Sequence, residues 1–288
     1  MQAVLFDMDG TIIDSEPYWM IAERELVESF GGTWSDEQGY ALVGSGLWNS
    51  AGVIKAAGVE LELDDIVHRL SDRVLGQIEQ AVPWRPGVRE ILRELLSAEI
   101  PCALVTMSLR KNAQALADAV ARELGAPFFR AIVAGDDVTM PKPNPEAYLL
   151  GAQALGVDIA NTIALEDSSY GAASAFSAGA ITIGIPLHVE IPEHMVHEIW
   201  TSLDGKSVAD LVSTWQAHRL DRSSDQNDAL REIVCLDDRP GVLDDRRCVN
   251  TNHQARPRSG SKHGQDARAA ADVEDHLREG MALKPSHI

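Results

Sequence analysis

Four short stretches of this 288-residue chain carry side chains that could do chemistry. They are Asp7-Met8-Asp9-Gly10-Thr11, Thr106-Met107-Ser108, Lys142-Pro143-Asn144-Pro145 and Glu166-Asp167-Ser168. Carboxylates such as Asp7 and Asp167 are hard oxygen ligands, and Mg²⁺ takes one or two of them with phosphate and water completing its shell. A cation held in this way neutralises phosphate charge, so that an anionic nucleophile can approach. Asp7 and Asp9, two residues apart, can divide labour as nucleophile and general acid. Thr106 and Lys142 can hold phosphoryl oxygens and offset their charge in the transition state. Taken singly, each piece has an ordinary use. An Asp-x-Asp pair is common in solvated loops, a lysine between prolines is usually a surface lysine, and Glu166-Asp167-Ser168 can charge and cap a following helix. The set is distinguished by where its members fall.

Each follows an apolar run of strand length. Residues 3–6 precede Asp7, 102–105 precede Thr106, 131–134 precede the loop with Lys142, and 162–165 precede Glu166. A fifth such run spans 180–183. Helical patterns cover about 87–98, 109–124, 145–155 and 168–178, between the strands. Strand–helix alternation predicts an α/β fold with a Rossmann-like parallel sheet and helices on both faces. In such sheets ligands bind outside the carboxyl ends of the strands, so all four polar groups fall on one edge. Residues 16–82 break the pattern and read as helix throughout. One helix runs from 17 to about 30, stopped by Gly31-Gly32. A second is opened by a capping box of Ser35 with Gln38, and a third runs from Asp64 to about 80. This all-helical block is expected to be an inserted cap. The core is expected over 1–15 and 83–220.

The motifs resemble those of the haloacid dehalogenase superfamily, in particular its beta-phosphoglucomutase-like phosphatases, over residues 1–220. The long insert after the first motif fits the helical cap of that branch. The alternative cap site is too short, because only about two dozen residues separate Lys142 from Asp167. The resemblance implies that Asp7 is the nucleophile, forms an aspartyl-phosphate and touches Mg²⁺. It implies that Asp9 protonates the leaving oxygen, then activates water, and reaches the metal through its backbone carbonyl. Thr106, with Met107 and Ser108 beside it, and Lys142 would bind the phosphoryl group. Asp167, helped by Glu166, would anchor the metal. An aspartate at position 9 sets the chain apart from the true dehalogenases. The implied activity is Mg²⁺-dependent hydrolysis of a small phosphorylated metabolite. The alternative is a sugar-phosphate mutase, and two departures weigh against it. Trp19 stands where the mutase carries a histidine, and the stretch 43–48, read as a loop, offers no cation to a second phosphate. Trp19 and Trp48 read as cap core or as an apolar wall over the substrate. A receiver module combines similar residues, but its phosphorylated aspartate would follow a later strand and it would lack the lid. A non-catalytic binding protein is disfavoured because every catalytic group is present.

The formal net charge is −19, a field that repels nucleic acid. No apolar run reaches membrane-spanning length, and the first residues lack the basic region of a signal peptide. Cys102, Cys235 and Cys248 match neither a disulfide framework nor a zinc site, so a reducing, cytoplasmic setting is expected. Residues 221–288 hold no aromatic residue, and only 12 of these 68 positions are Leu, Ile, Val or Met. That is too little apolar matter to offset the ordering entropy of a core, so this tail is expected to lack a fixed fold.

Overall fold

The structure, a computed structural model, describes residues 1–43 and 45–219. The five apolar runs form strands: β1 (Ala3–Phe6), β2 (Cys102–Val105), β3 (Phe129–Val133), β4 (Thr162–Glu166) and β5 (Ile181–Gly184). A two-residue strand, β6 (Glu198–Ile199), completes the sheet. The order is β3-β2-β1-β4-β5-β6 and every pairing is parallel. β1, β2, β4 and β5 are buried throughout. Their neighbours cover both faces, which is why they read as unbroken apolar runs and not as alternating ones. The chain order reverses at β1, which lies between β2 and β4, and the crevice at its carboxyl end is the natural ligand position.

The sheet departs from expectation at its edges. β3 starts two residues before the expected 131 and ends one before 134. A register shift between Cys102 and Ala103 pairs Phe129 with Cys102 and Ala131 with Ala103. Phe128 and Phe129 then meet Phe6 edge-on, with ring centroids 6.4 and 6.3 Å away. Periodicity alone does not reveal such an irregularity. β6 is too short to leave any period in the sequence.

Among the described residues, 16–82 hold four helices and no strand: α1 (Glu16–Ser29), α2 (Asp36–Tyr40), α3 (Leu47–Ala56) and α4 (Leu63–Gln80). The Ser35–Gln38 capping box forms as expected. Ile66, Leu70, Val74 and Ile78, four residues apart, make a buried stripe along α4. At about 1.5–3 kcal/mol per fully buried aliphatic side chain, such a stripe outweighs intrinsic propensity in holding the helix. The loop reading of 43–48 needs correction. Gly46 is the N-cap of α3, and Leu47 and Trp48 lie in its first turn. Around the sheet lie α5 (Val88–Ser97), α6 (Arg110–Leu124), α7 (Glu146–Leu155), α8 (Ser169–Ala178) and α9 (Val208–His218). The last, opened by a capping box of Ser207 with Asp210, was not anticipated.

α4 and α6 join the helical layer to the sheet layer through Asn112, whose amide donates to the Ser71 carbonyl at 3.0 Å, and Lys111, 2.5 Å from Asp72. Cys102 is a buried free thiol. Among the described residues, no helix is long and apolar enough to cross a membrane. The expected tail 221–288, with Cys235 and Cys248, lies outside the described residues.

Candidate active site

Asp7 is the first residue beyond β1, and its N–H donates to the Leu165 carbonyl of β4 at 3.0 Å. The sheet therefore fixes the backbone from which its carboxylate projects. Gly10, three residues after Asp7, has φ +78°. A Cβ there would lie 1.9 Å from Asp167 Oδ2, so the first and fourth motifs meet only because residue 10 is glycine. Glu166 ends β4 and Asp167 follows it. Ser168 caps α8, its hydroxyl accepting from the Gly171 N–H at 3.1 Å. A Cβ at Gly171 would lie 2.0 Å from Glu166 Oε2, so a second glycine makes room for a second carboxylate.

Lys142 enters from the loop between β3 and α7. Its ammonium donates to Asp7 Oδ1 at 2.7 Å, Glu166 Oε1 at 2.6 Å and the Val105 carbonyl at 2.9 Å, so all three protons are used. Tyr148 of α7 donates its hydroxyl to the same Glu166 oxygen at 2.5 Å. Ligand oxygens of Asp7, Glu166 and Asp167 all lie within 4.8 Å of one another. Three buried carboxylates thus face one ammonium. Burial first, then the charge of Glu166, pushes the Asp7 carboxyl up to about 8, with Lys142 opposing. Burial, Asp7 and Glu166 likewise hold Asp167 well above the usual carboxylate range. Burial by itself would lower the Lys142 ammonium, but its two carboxylate partners outweigh this and raise it. A cluster with this excess of hard anionic oxygen fits a divalent cation of the Mg²⁺ type, which would restore the charge balance.

Asp9 stands apart from that cluster. Its Oδ1 accepts from the Ser15 hydroxyl at 2.5 Å and the Trp19 indole at 3.4 Å. Its Oδ2 accepts from the Ser108 hydroxyl at 2.7 Å and the Thr106 hydroxyl at 3.4 Å. Thr106 also accepts the Ser108 N–H at 3.0 Å, which ties the turn after β2 together. Met107 lines the same pocket, and its sulfur receives the Lys142 N–H at 3.4 Å. All eight residues singled out in the sequence border this site or its buried floor. The two tryptophans part ways. Trp19 faces the pocket and holds Asp9, whereas Trp48 is 43% exposed and donates to Asp64 at 2.8 Å, so it is neither wall nor core.

Other residues at the site carried no sequence signal. Tyr148 is one of many helix aromatics until the fold brings it under Glu166. Arg85, in the break before α5, is buried and donates to the carbonyls of Gly10, Ile185 (2.7 Å) and Pro186 (3.4 Å). It pins the loop after Asp7 to the loop after β5. Beyond the carboxylates the pocket opens between Glu16, Trp19, Ser45, Ser50, Tyr170 and His188.

The site can be set beside known proteins. A profile for haloacid dehalogenase-like hydrolases matches residues 1–179. A phosphorylated carbohydrates phosphatase from Thermotoga maritima is 32% identical over 183 residues, which is 62% of this chain and 82% of that protein. The crystal structure of CbbY from Rhodobacter sphaeroides in complex with phosphate superposes with a TM-score of 0.66 at 26% identity, covering 74% of this chain and 99% of that one. A beta-phosphoglucomutase from Clostridium difficile shares the fold, with a TM-score of 0.65 at 21% identity over 76% of this chain and 99% of its own. This chain belongs to the haloacid dehalogenase-like hydrolases, and within that family it is a phosphatase.

Proposed function

We propose that this enzyme hydrolyses a small phosphorylated metabolite, of the sugar-phosphate class named for its Thermotoga relative, through an aspartyl-phosphate on Asp7. The observation that carries the reading is the Lys142 ammonium shared between Asp7 and Glu166 within a cluster of three buried carboxylates. Asp7 and Asp167 would hold Mg²⁺, with Glu166 behind them, and the bound cation would neutralise charge on the phosphate. The helices of residues 16–82 act as the lid over this edge of the sheet.

The Asp7 carboxylate attacks phosphorus. The P–O bond to the leaving group breaks, and that oxygen takes a proton from Asp9. Thr106 and Ser108, with Met107 between them, orient the phosphoryl oxygens, and Lys142 offsets their charge. Asp9 then accepts a proton from water as the water attacks phosphorus and frees Asp7. The hydroxyls of Ser15 and Ser108 and the indole of Trp19 fix Asp9 for both proton transfers. Among the described pocket-lining residues Lys142 is the only lysine or arginine, and it is already shared between Asp7 and Glu166, which favours water as phosphoryl acceptor over a second phosphorylated intermediate.

The test is Asp7→Asn. An amide is not an anionic nucleophile, so turnover should fall to background, and acid-quenched wild type should carry an alkali-labile acyl phosphate that the variant lacks. Substantial turnover by Asp7→Asn would sink the assignment.

A further inference from the structure

Residues 139–145 carry Lys142 into the site with little backbone hydrogen bonding of their own. Pro141, Pro143 and Pro145 have no N–H, so the segment holds four backbone donors: Thr139, Met140, Lys142 and Asn144. The Asn144 N–H turns back to the Pro141 carbonyl at 3.0 Å, and the Lys142 N–H meets the Met107 sulfur at 3.4 Å. The other two donors go to a single carboxylate. Thr139 N–H donates to Glu146 Oε1 and Met140 N–H to Glu146 Oε2, each at 2.8 Å.

Glu146 is the first residue of α7, and that helix is anchored, because its Tyr148 is fully buried and donates to Glu166. The Glu146 N–H donates to Asn144 Oδ1 at 3.0 Å, and the Asn144 carbonyl accepts from the Ser174 hydroxyl of α8 at 2.6 Å. One end of the segment thus hangs on the Glu146 carboxylate and the other on α7 and α8, with Lys142 between them. A lysine is a point charge on a flexible four-carbon stem, so its three short bonds to Asp7, Glu166 and Val105 need a backbone that is held. The Thr139 N–H, then the Met140 N–H, hold the Glu146 carboxyl below its ordinary value, so at neutral pH it is an anion that only accepts. A glutamate at a helix start also suits the helix dipole, but here its two oxygens point back to the preceding segment. Glu146 is not among the described residues that line the pocket.

We propose that Glu146 is a positioning residue for phosphoryl transfer, closing the segment that aims Lys142 at Asp7 and Glu166 without touching substrate itself. This rests on the phosphatase reading above, in which Lys142 offsets the phosphoryl charge. Side chains that must sit within a fraction of an ångström of their productive place need such support from behind.

The test follows Lys142 directly. The full-length protein in EDTA is treated with acetic anhydride, and mass spectrometry gives the acylation rate of Lys142 relative to Lys55 and Lys111, whose ammonium groups lie in exposed ion pairs elsewhere. Glu146→Ala should raise the relative rate at Lys142 about tenfold, the size of one lost hydrogen bond. Glu146→Gln keeps one acceptor oxygen and should raise it less. With Mg²⁺, kcat/KM for p-nitrophenyl phosphate should fall in the same order, about tenfold for Glu146→Ala. A Lys142 rate unchanged in both variants, an equal rise at Lys111, or full turnover by Glu146→Ala overturns the proposal. The labelling needs no turnover. A wild type that hydrolyses no phosphate ester, with Lys142 still unprotected in the variants, would count against the phosphatase reading and leave the clamp on Lys142 standing.

Discussion

Adding Mg²⁺ should stabilise the fold, and more at pH 8 than at pH 6. Asp7, Glu166 and Asp167 face a single ammonium inside the protein, so without a cation the site is short of positive charge. The folded Asp7 carboxyl sits at about 8 against an ordinary value of 3.8, raised first by burial and then by Glu166, and Asp167 is displaced in the same direction. A raised folded-state value means that the folded chain holds more protons than the unfolded one between about pH 4 and 8. Stability of the metal-free protein from these groups is thus full below pH 4 and falls as pH rises through 8. A cation must displace the same protons, so its affinity grows over that window. At a free Mg²⁺ concentration of about 100 Kd, binding adds about 2.7 kcal/mol. For a domain of this size that is a rise in Tm of about 5–10 °C. Differential scanning fluorimetry with EDTA or Mg²⁺ at the two pH values measures it. Asp167→Asn should lose most of the shift. Its metal-free form at pH 8 should be at least as stable as the wild type, since removing even one pKa unit of like-charge repulsion gives about 1.4 kcal/mol. A larger Mg²⁺ shift at pH 6 than at pH 8, or a full shift in Asp167→Asn, would refute the reasoning.

Three further outcomes follow from the site. Asp9→Asn should slow hydrolysis of a sugar phosphate about 10²–10⁴-fold yet spare p-nitrophenyl phosphate, whose leaving group needs little protonation; stopped-flow rates losing equal factors would contradict proton donation by Asp9. Gly10→Ala should cost about 1–2 kcal/mol for its left-handed backbone and should also weaken Mg²⁺ binding, since the new Cβ would fall 1.9 Å from Asp167 Oδ2; calorimetric titration of Mg²⁺ checks the second effect. Arg85→Met should destabilise the protein by about 1–3 kcal/mol for each orphaned buried carbonyl, read as a lower urea midpoint at unchanged slope, and a midpoint within error of wild type would contradict the clamp.

The sequence by itself determined the parallel α/β core and the four motifs, for a physical reason. A strand buried on both faces must be apolar throughout, and the polar residues that end it fall on the ligand-binding edge, so composition and position along the chain already locate Asp7, Thr106, Lys142 and Glu166. Gly10 is legible as a turn glycine, but the carboxylate it makes room for is not. What only the tertiary structure decided is whatever depends on contacts between distant segments. The register shift that pairs Phe129 with Cys102, beside the ring of Phe6, is one such feature. Trp19 and Trp48 look alike in the sequence, and the fold turns one toward Asp9 and leaves the other on the surface with Asp64. Arg85 and His188 sit 100 or more residues from parts of the site they bear on. Hydrogen bonds of that sequence separation leave no local period or propensity, because they form only once the sheet has brought the loops after β1 and β5 side by side.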